Sequence, residues 1–513
     1  MIASTSLLTI HPRMVSCYPS VQSTAELYEY PSKKFPPHIR NRKNPPAPTA
    51  DEGCNYLQEY IDEKNMRSKF KFNTTVSEVF CTAEDTWIVE YDEFTTATFS
   101  FVILCNGLVS SKPNRVHIPG TDKFIKAGGK IIHSSERRSD DLFLHGSGRV
   151  MVIGNGKSAV DAAAAAATIA EENATQPPIQ LARRQTWYVP RYLLGCLQYK
   201  WAFHTRIGSS LLPRYFESKS LLLKLLHCFF APIKWVLWRL VEILLLMQYR
   251  LPFRLWPKLG TVEASALETS VLITDEEHLV RLRKGSIDMR IGEVERLESG
   301  KAILKNGKEE DVDVIILGTG WRLSYDRFIS SDSIFAGLDF EKDYLDFQDD
   351  GLWLYRNILP AGFKGMAFVG ANSLTFINVY TSYIQAYWVA QLLAGERPWP
   401  DEDHMKWTVE REKAFKRKYY KESEMRSASI EAYMQHYHDV LFHEMNARKP
   451  FNCLIRPIAD LFVPVVPSLM KGCLEPLSSN TSQKEKKKQR QKKNECDNSN
   501  TASSDGFYSE SPV

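Results

Sequence analysis

Residues 149–167 read RVMVIGNGKSAVDAAAAAA, and no other stretch of this chain narrows its fold as far. Val150 to Ile153 form an apolar strand that runs into Gly154-Asn155-Gly156-Lys157-Ser158-Ala159 and then into a helix built from the strongest helix former. Strand, glycine turn and helix in that order give the context in which a G-x-G-x-x-A pattern binds a dinucleotide. Gly154 is expected to let the chain turn tightly, Gly156 to admit a pyrophosphate against the backbone, and Ala159 to keep the helix close to its strand. The N–H groups of the first helical turn then meet the phosphates at the positive end of the helix dipole.

The next strand, within PPIQLARR, ends where the adenosine ribose of a bound nucleotide lies in such a unit. An acidic side chain there suits the free 2′-hydroxyl of NADH, whereas Arg183 and Arg184 suit a 2′-phosphate. NADPH is therefore the expected nucleotide. The other reading of the two arginines is a solvated strand end.

Length and composition set the frame around this unit. With 513 residues, 43% hydrophobic and 25% charged, the chain exceeds what one core usually supports, so two globular domains with appendages are expected. A formal charge of +4 is far from the basic field of a nucleic-acid binder, and nucleic acid is not an expected partner. Nine cysteines without a CxxC pair or a Cys/His cluster argue against a disulfide framework, a zinc site and a dithiol reductase. They favour a reducing compartment and a cytoplasmic location.

Before the fingerprint, NYLQEYIDEKNM reads as a helix, and KFKFNTTVSEVF, TWIVEYD and FSFVILCNG read as short strands of a β-meander packed on a larger sheet. From about Lys130 the pattern becomes a βαβ unit. Strands resume in the segment ending EEDVDVIILGTG, with Asn306-Gly307 as a hairpin turn, and GMAFVGAN and SYIQAYWVAQLLAGE close the globular part. After about Pro476 the chain turns to Ser, Asn, Lys and Gln, including KEKKKQRQKK, and a disordered basic tail is expected.

Residues from about 192 to 258 break this rhythm. LLLKLLHCFFAPIKWVLWRLVEILLLMQYRLPFRLW (221–256) sets leucines and tryptophans around Lys224, Lys234, Arg239 and Glu242. No uncharged run there reaches the ~18 residues of a spanning helix. Three readings stay open: a pair of amphipathic helices in a bilayer interface, making peripheral membrane contact on the cytosolic face; a lid over an apolar substrate channel; or helices buried against the rest of the protein.

Taken in order, these segments resemble the flavin-containing monooxygenases over roughly residues 15 to 420. YLQEYI, FNTTVSEV (which holds Val76) and TWIVEY match the helix and strands before that family's first ATG-like turn, which here is LCNG with Asn106 and Gly107. Gly129 and His133 match the F-x-G-x-x-x-H motif, with Ala127 and Arg137 where the family has aromatics. The turn at 154–159 matches the NADP site. Thr319 and Gly320 in VDVIILGTGW match the second ATG-type linker, where the chain crosses back to the flavin domain, and Gly370, Gln385 and Trp388 match the terminal flavin-contacting strand and helix.

The resemblance implies an α/β fold of two dinucleotide-binding (Rossmann-like) domains with a β-meander. It also implies a first domain lacking its opening βαβ unit, because the CYPS segment at Cys17 to Ser20 arrives where the family first has a strand and GxGxxG for the FAD pyrophosphate. The chain is then divided into flavin-binding segments at 1–122 and 319–400, an NADP-binding domain at 123–318, a helical region at 401–475 and the tail at 476–513. FAD and NADPH are the implied cofactors. Gly154 to Ala159 with Arg183 and Arg184 would hold the second, and Val76, Asn106, Gly107, Thr319, Gly320 and Gly370 would lie around the first. Tyr18 is a candidate neighbour of the flavin, and the helix starting near Tyr380 would either aim its N–H groups at it or serve only as packing.

The implied reaction inserts one oxygen atom of O2 into a small organic substrate, a soft nitrogen or sulfur nucleophile or a carbonyl. Nitrogen- and sulfur-oxidising members carry an asparagine shortly after the tyrosine segment, and Baeyer–Villiger members carry YPG with a later aspartate. YPSVQSTAELYEY has neither, with Ser20 and Thr24 in the latter places, so the substrate class stays open. The alternative is an NADP-binding protein that has lost flavin binding.

Overall fold

The computed structural model describes residues 24–42, 47–82, 86–92, 94–107, 112–136, 148–217, 225, 227–267, 272–274, 276–322, 352–361, 365–372, 378–420, 426–447, 461–470 and 473–474. The CYPS segment with Tyr18, Arg137 and the basic tail lie outside them.

Helix α1 (Ala50–Glu63) starts where its sequence asks, with Thr49 and Glu52 forming a reciprocal capping box. The first meander follows as β1 (Val76–Cys81), β2 (Trp87–Tyr91) and β3 (Thr95–Phe99), all antiparallel. The strand expected over KFKFNTTVSEVF forms only from Val76 onward. Asn73 adopts φ +56°, a left-handed turn conformation that ends any extended run before it.

Two short strands come next, β4 (Val102–Leu104) and β5 (Lys112–Pro113), and then the chain enters a parallel sheet. Its members are β6 (Lys130–His133), β7 (Val150–Ile153), β8 (Ile179–Ala182), β9 (Asp288–Ile291) and β13 (Val314–Leu317), with helix α2 (Lys157–Glu172) joining β7 to β8. The spatial order is β9-β8-β7-β13-β6, and every neighbouring pair is parallel. Between β8 and β9 lie α3 (Ala231–Tyr249) and α4 (Glu276–Lys284). Between β9 and β13 comes a second antiparallel meander, β10 (Val294–Glu298), β11 (Lys301–Leu304) and β12 (Glu309–Asp311). The hairpin expected at Asn306-Gly307 joins β11 to β12, with Gly307 at φ +80°.

The strands of this sheet read as continuous apolar runs because both faces are covered. Val150, Val152, Val314 and Ile316 pack with Ala159, Ala163 and Ala166 of α2, while Met151, Ile179, Leu181 and Ile315 pack with Leu297, Ala302 and Leu304 of the second meander. Alanine at the buried positions of α2 brings the helix axis close to the sheet. Truncating a residue such as Ile316 would cost about 2–5 kcal/mol in so close a core.

The rest of the chain repeats this plan. After β14 (Trp321–Arg322), strand β15 (Met366–Phe368) pairs in parallel with β4 and leads into α5 (Asn378–Leu393), α6 (Glu402–Tyr419) and α7 (Met434–Glu444). Met366 and Phe368 face the first meander through Val79, Trp87 and Val89, whereas Ala367 and Val369 face Tyr380, Ile384 and Trp388. Each half is thus parallel strands held between helices and a three-stranded meander.

Within the leucine-rich insertion the long helix α3 is described, and residues 225 and 227–229 just before it are also helical. Only one side of it is core, where Trp238, Leu245, Leu246 and Tyr249 join the cluster around α2. Among the described residues no helix is long and apolar enough to cross a membrane.

Candidate nucleotide-binding site

The glycine turn between β7 and α2 sits at the end of a central parallel strand, beside the point where the strand order reverses from β8 to β13. Ligands of open α/β sheets bind in that crevice. Gly154 adopts φ +133°, and a Cβ there would stand 2.3 Å from the carbonyl oxygen of Gly318 and 3.2 Å from the Cβ of Ala159. A Cβ on Gly318 would in turn stand 2.5 Å from that of Ala159. Three small residues therefore let strand ends and helix start close on one another.

Gly156 has a different role. Its backbone is extended, φ −81° and ψ 177°, and a Cβ added to it meets nothing within 4 Å. No side chain caps α2, in contrast to the capping box of α1. An open space in front of an uncapped helix start fits a pyrophosphate, whose oxygens accept from backbone N–H groups and meet the positive end of the dipole.

Behind the turn lies a buried polar network. Gln180 on β8 is fully buried, and its amide nitrogen donates to the Gly154 carbonyl at 3.3 Å and to Asn155 Oδ1 at 3.2 Å. Tyr188 donates its hydroxyl to the same Oδ1 at 2.8 Å. His278 of α4 donates from Nε2 to Gln180 Oε1 at 3.0 Å, and burial pushes its imidazole down to about 3, so the ring is neutral. Asn155 also donates to the Arg184 carbonyl at 3.4 Å. The Asn155 side chain is therefore turned inward to fix the loop, and Lys157 is paired with Asp161 one turn along α2. Arg183 and Arg184 are exposed just past β8. Sequence reasoning missed Gln180, Tyr188 and His278. The one available signal was Gln180 itself, a polar residue inside a strand buried on both faces.

A second set of expected residues meets where the chain passes between its halves. β5 and β14 pair antiparallel, Pro113 with Trp321 and Lys112 with Arg322. Asn114 donates its backbone N–H to Gly320 O at 2.9 Å and its side-chain amide to Thr319 O at 3.3 Å, while the Thr319 hydroxyl donates to Asn114 O. His133, fully buried at the end of β6, donates from Nε2 to Gly320 O at 3.0 Å, and its Nδ1 accepts from the Ser135 backbone at 3.2 Å. Burial lowers its pKa, and its ring stands edge-on to Trp321. The motif histidine and the second linker are thus one unit, which holds the two crossings side by side.

In the other half, β4 is followed by Asn106 and Gly107, both half-buried, with Gly107 at φ +73°. Beyond β15, Gly370 takes φ +79° and donates its N–H to Gln385 Oε1 at 2.9 Å. Gln385 also donates to Asn372 Oδ1 at 2.9 Å and Tyr437 OH at 2.8 Å, and Trp388 donates to Glu444 at 2.8 Å. Gln385 and Trp388 are fully buried in these contacts, so they shape the Gly370 loop from behind. Val76 lies at the start of β1, opposite Tyr91, and α5 begins at Asn378, two residues before Tyr380.

A glycine turn open to a pyrophosphate on one covered parallel sheet, joined through paired crossings to a second unit of the same plan, defines an α/β protein of two Rossmann-like domains. The sequence profile of the Flavin-binding monooxygenase-like family matches residues 14–237 and 252–460, and the chain belongs to that family. The family is one of flavin-binding proteins.

Among curated relatives, the chain is 25% identical over 328 residues to a probable indole-3-pyruvate monooxygenase, YUCCA1, of Arabidopsis thaliana, covering 63% of this chain and 66% of that one. It is 26% identical over 280 residues to a 4-hydroxybenzoate brominase (decarboxylating) of Pseudoalteromonas luteoviolacea (strain 2ta16), covering 53% of this chain and 49% of that one. The chain therefore spans about two thirds and about half of the length of these two relatives. Among solved structures, OTEMO in complex with FAD and NADP superposes with a TM-score of 0.56 at 18% identity over 84% of this chain and 90% of that one, a likeness of fold.

Proposed function

We propose that this protein is an FAD- and NADPH-dependent monooxygenase that inserts one oxygen atom of O2 into a small organic substrate. The observation that carries the reading is the open, uncapped space at Gly156. Gly154 to Ala159 hold the NADPH pyrophosphate through backbone N–H groups, and Arg183 and Arg184 close on the 2′-phosphate. Asn155, fixed from behind by Gln180 and Tyr188, keeps the turn from collapsing into that space.

Residues 1–122 and 319–400 make up the flavin-binding half and 123–318 the NADPH-binding half, and the helical region 401–475 packs on both, Met405, Val409 and Leu441 on the first and Tyr420 and Tyr433 on the second. On the flavin side, Val76, Asn106, Gly107, Thr319, Gly320 and Gly370 line the cofactor. Bound flavin and nicotinamide supply electron transfer and oxygen activation. The protein's part is to bind, to align and to exclude water, and the Asn114–Gly320–His133 contacts keep the two nucleotide sites in fixed relation. The substrate carries a soft nitrogen or sulfur nucleophile or a carbonyl. The enzyme works in the cytoplasm, drawn to the cytosolic face of a membrane by a surface described below.

The test is purification of the protein with its flavin, followed by NADPH oxidation and O2 uptake with a panel of one tertiary amine, one thioether and one ketone. Visible flavin absorption and NADPH-dependent O2 uptake that rises with one class support the reading and name the substrate. Tight NADPH binding with no retained flavin would replace it by a nucleotide-binding protein without oxygen chemistry.

A further inference from the structure

Helix α3 is inside out for a surface helix. Ile233, Val236, Leu240, Ile243, Leu244 and Met247 recur at the three- and four-residue spacing of one face, and each is between 45 and 68% exposed. Its ionisable side chains lie away from that face. Lys234 donates to the Leu212 carbonyl at 3.2 Å, and Arg239 pairs at 3.0 Å with Glu242, which is 1% exposed and accepts from the backbone N–H groups of Gly260 and Val262. An apolar stripe from Ile233 to Met247, about 21 Å at 1.5 Å per residue, is larger than isolated exposed side chains and marks a contact surface.

The charge around the stripe selects the occupant. Past the C-terminus of α3, Arg250, Arg254 and Lys258 are all exposed, interleaved with Phe253 at 79% and Leu259 at 55% exposure. Glu242, the one carboxylate between Leu225 and Gly260, is buried and already paired. The exposed charges of this segment are thus all cationic, and the nearby Glu263 is half-buried and lies near Lys234 and Arg239. A second copy of the chain would bring these same cations and no exposed acidic counterpart from this segment, whereas anionic lipid headgroups supply negative charge above an apolar layer.

We infer that α3 lies in the plane of a membrane interface, its Ile233–Met247 stripe among the acyl chains and Arg250, Arg254 and Lys258 on anionic headgroups. The arrangement is that of an in-plane helix, and the charged residues within α3 are what keep it from spanning. The inference does not depend on the reaction proposed above.

The experiment is co-sedimentation of the full chain with phosphatidylcholine vesicles, with and without phosphatidylserine. Two variants are compared, Ile233→Asp with Leu240→Asp and Met247→Asp, and Arg250→Glu with Arg254→Glu and Lys258→Glu. The substitutions are at exposed positions, so circular dichroism is expected to match the parent. Both variants retain KEKKKQRQKK at 484–493, so its contribution to binding is constant. The parent is expected to bind phosphatidylserine vesicles, and each variant at least tenfold more weakly. Equal binding by parent and variants would overturn the inference by assigning the contact to another segment. So would equal binding of the parent to both vesicle types, absence of vesicle binding, or a parent that self-associates in sedimentation equilibrium while the aspartate variant is monomeric.

Discussion

A Cβ on Gly154 would stand 2.3 Å from the carbonyl oxygen of Gly318, so the first turn of the nucleotide site and the end of β13 meet in the space of one missing methyl group. With φ at +133° the position is closed to other residues twice over. Gly154→Ala is expected to destabilise the protein by at least about 3 kcal/mol, from backbone strain and displacement of a backbone carbonyl. Gly156→Ala, at ordinary φ and in open space, is expected to stay within about 0.5 kcal/mol of the parent. Urea denaturation of the two variants measures both, and equal losses would contradict the division of labour between the glycines.

The pair Arg183 and Arg184 is expected to set nucleotide preference. Replacing both by Ala removes the cations offered to the 2′-phosphate and should lower the preference for NADPH over NADH roughly tenfold or more, the worth of one charge-assisted bond. Titration of each nucleotide against parent and variant measures the ratio. An unchanged ratio would return these arginines to the role of a solvated strand end.

His204, His278 and His438 are each pushed down to about 3, chiefly by burial. A histidine neutral in the fold and titrating near 6.5 when unfolded gives stability that is full above 6.5 and is lost as pH falls from there toward 3. Each contributes a slope of up to about 1.4 kcal/mol per pH unit in that window. Unfolding midpoints between pH 7 and 5 should therefore fall, and His278→Gln should show a shallower fall than the parent. Identical slopes would show that His278 protonates in the folded state.

His133→Ala removes the imidazole donor to Gly320 O and empties a buried site beside Trp321. A loss of about 2–3 kcal/mol is expected from the hydrogen bond and the void together. His133→Asn tests whether a shorter donor recovers part of it. No change in stability in either variant would contradict the role of this contact in holding the crossings.

These residues also show what the sequence could disclose. The β7–turn–α2 unit was legible because strand period, glycine spacing and helix propensity all act within twenty residues. Asn306-Gly307 was legible for the same local reason. The support behind the turn was not, because His278 reaches Gln180 across 98 positions and Tyr188 reaches Asn155 across 33, and no local pattern encodes a meeting of distant strands and helices. Gln385 and Trp388 were legible as part of a terminal strand-and-helix motif, but their contacts with Tyr437 and Glu444 of α7 were not, because the motif does not encode the docking of that helix. Direction was equally hidden in α3: apolar residues on nearly every side of a helix do not tell which side the rest of the protein will cover.

The most direct test of the account is calorimetric titration of NADPH into the parent and into Gly156→Asp. The carboxylate would enter the open space before α2 without touching the core, so the variant is expected to keep its unfolding midpoint while losing NADPH binding altogether. Unaltered NADPH affinity in a folded Gly156→Asp protein would mean that the nucleotide lies elsewhere, and the functional assignment built on that turn would not stand.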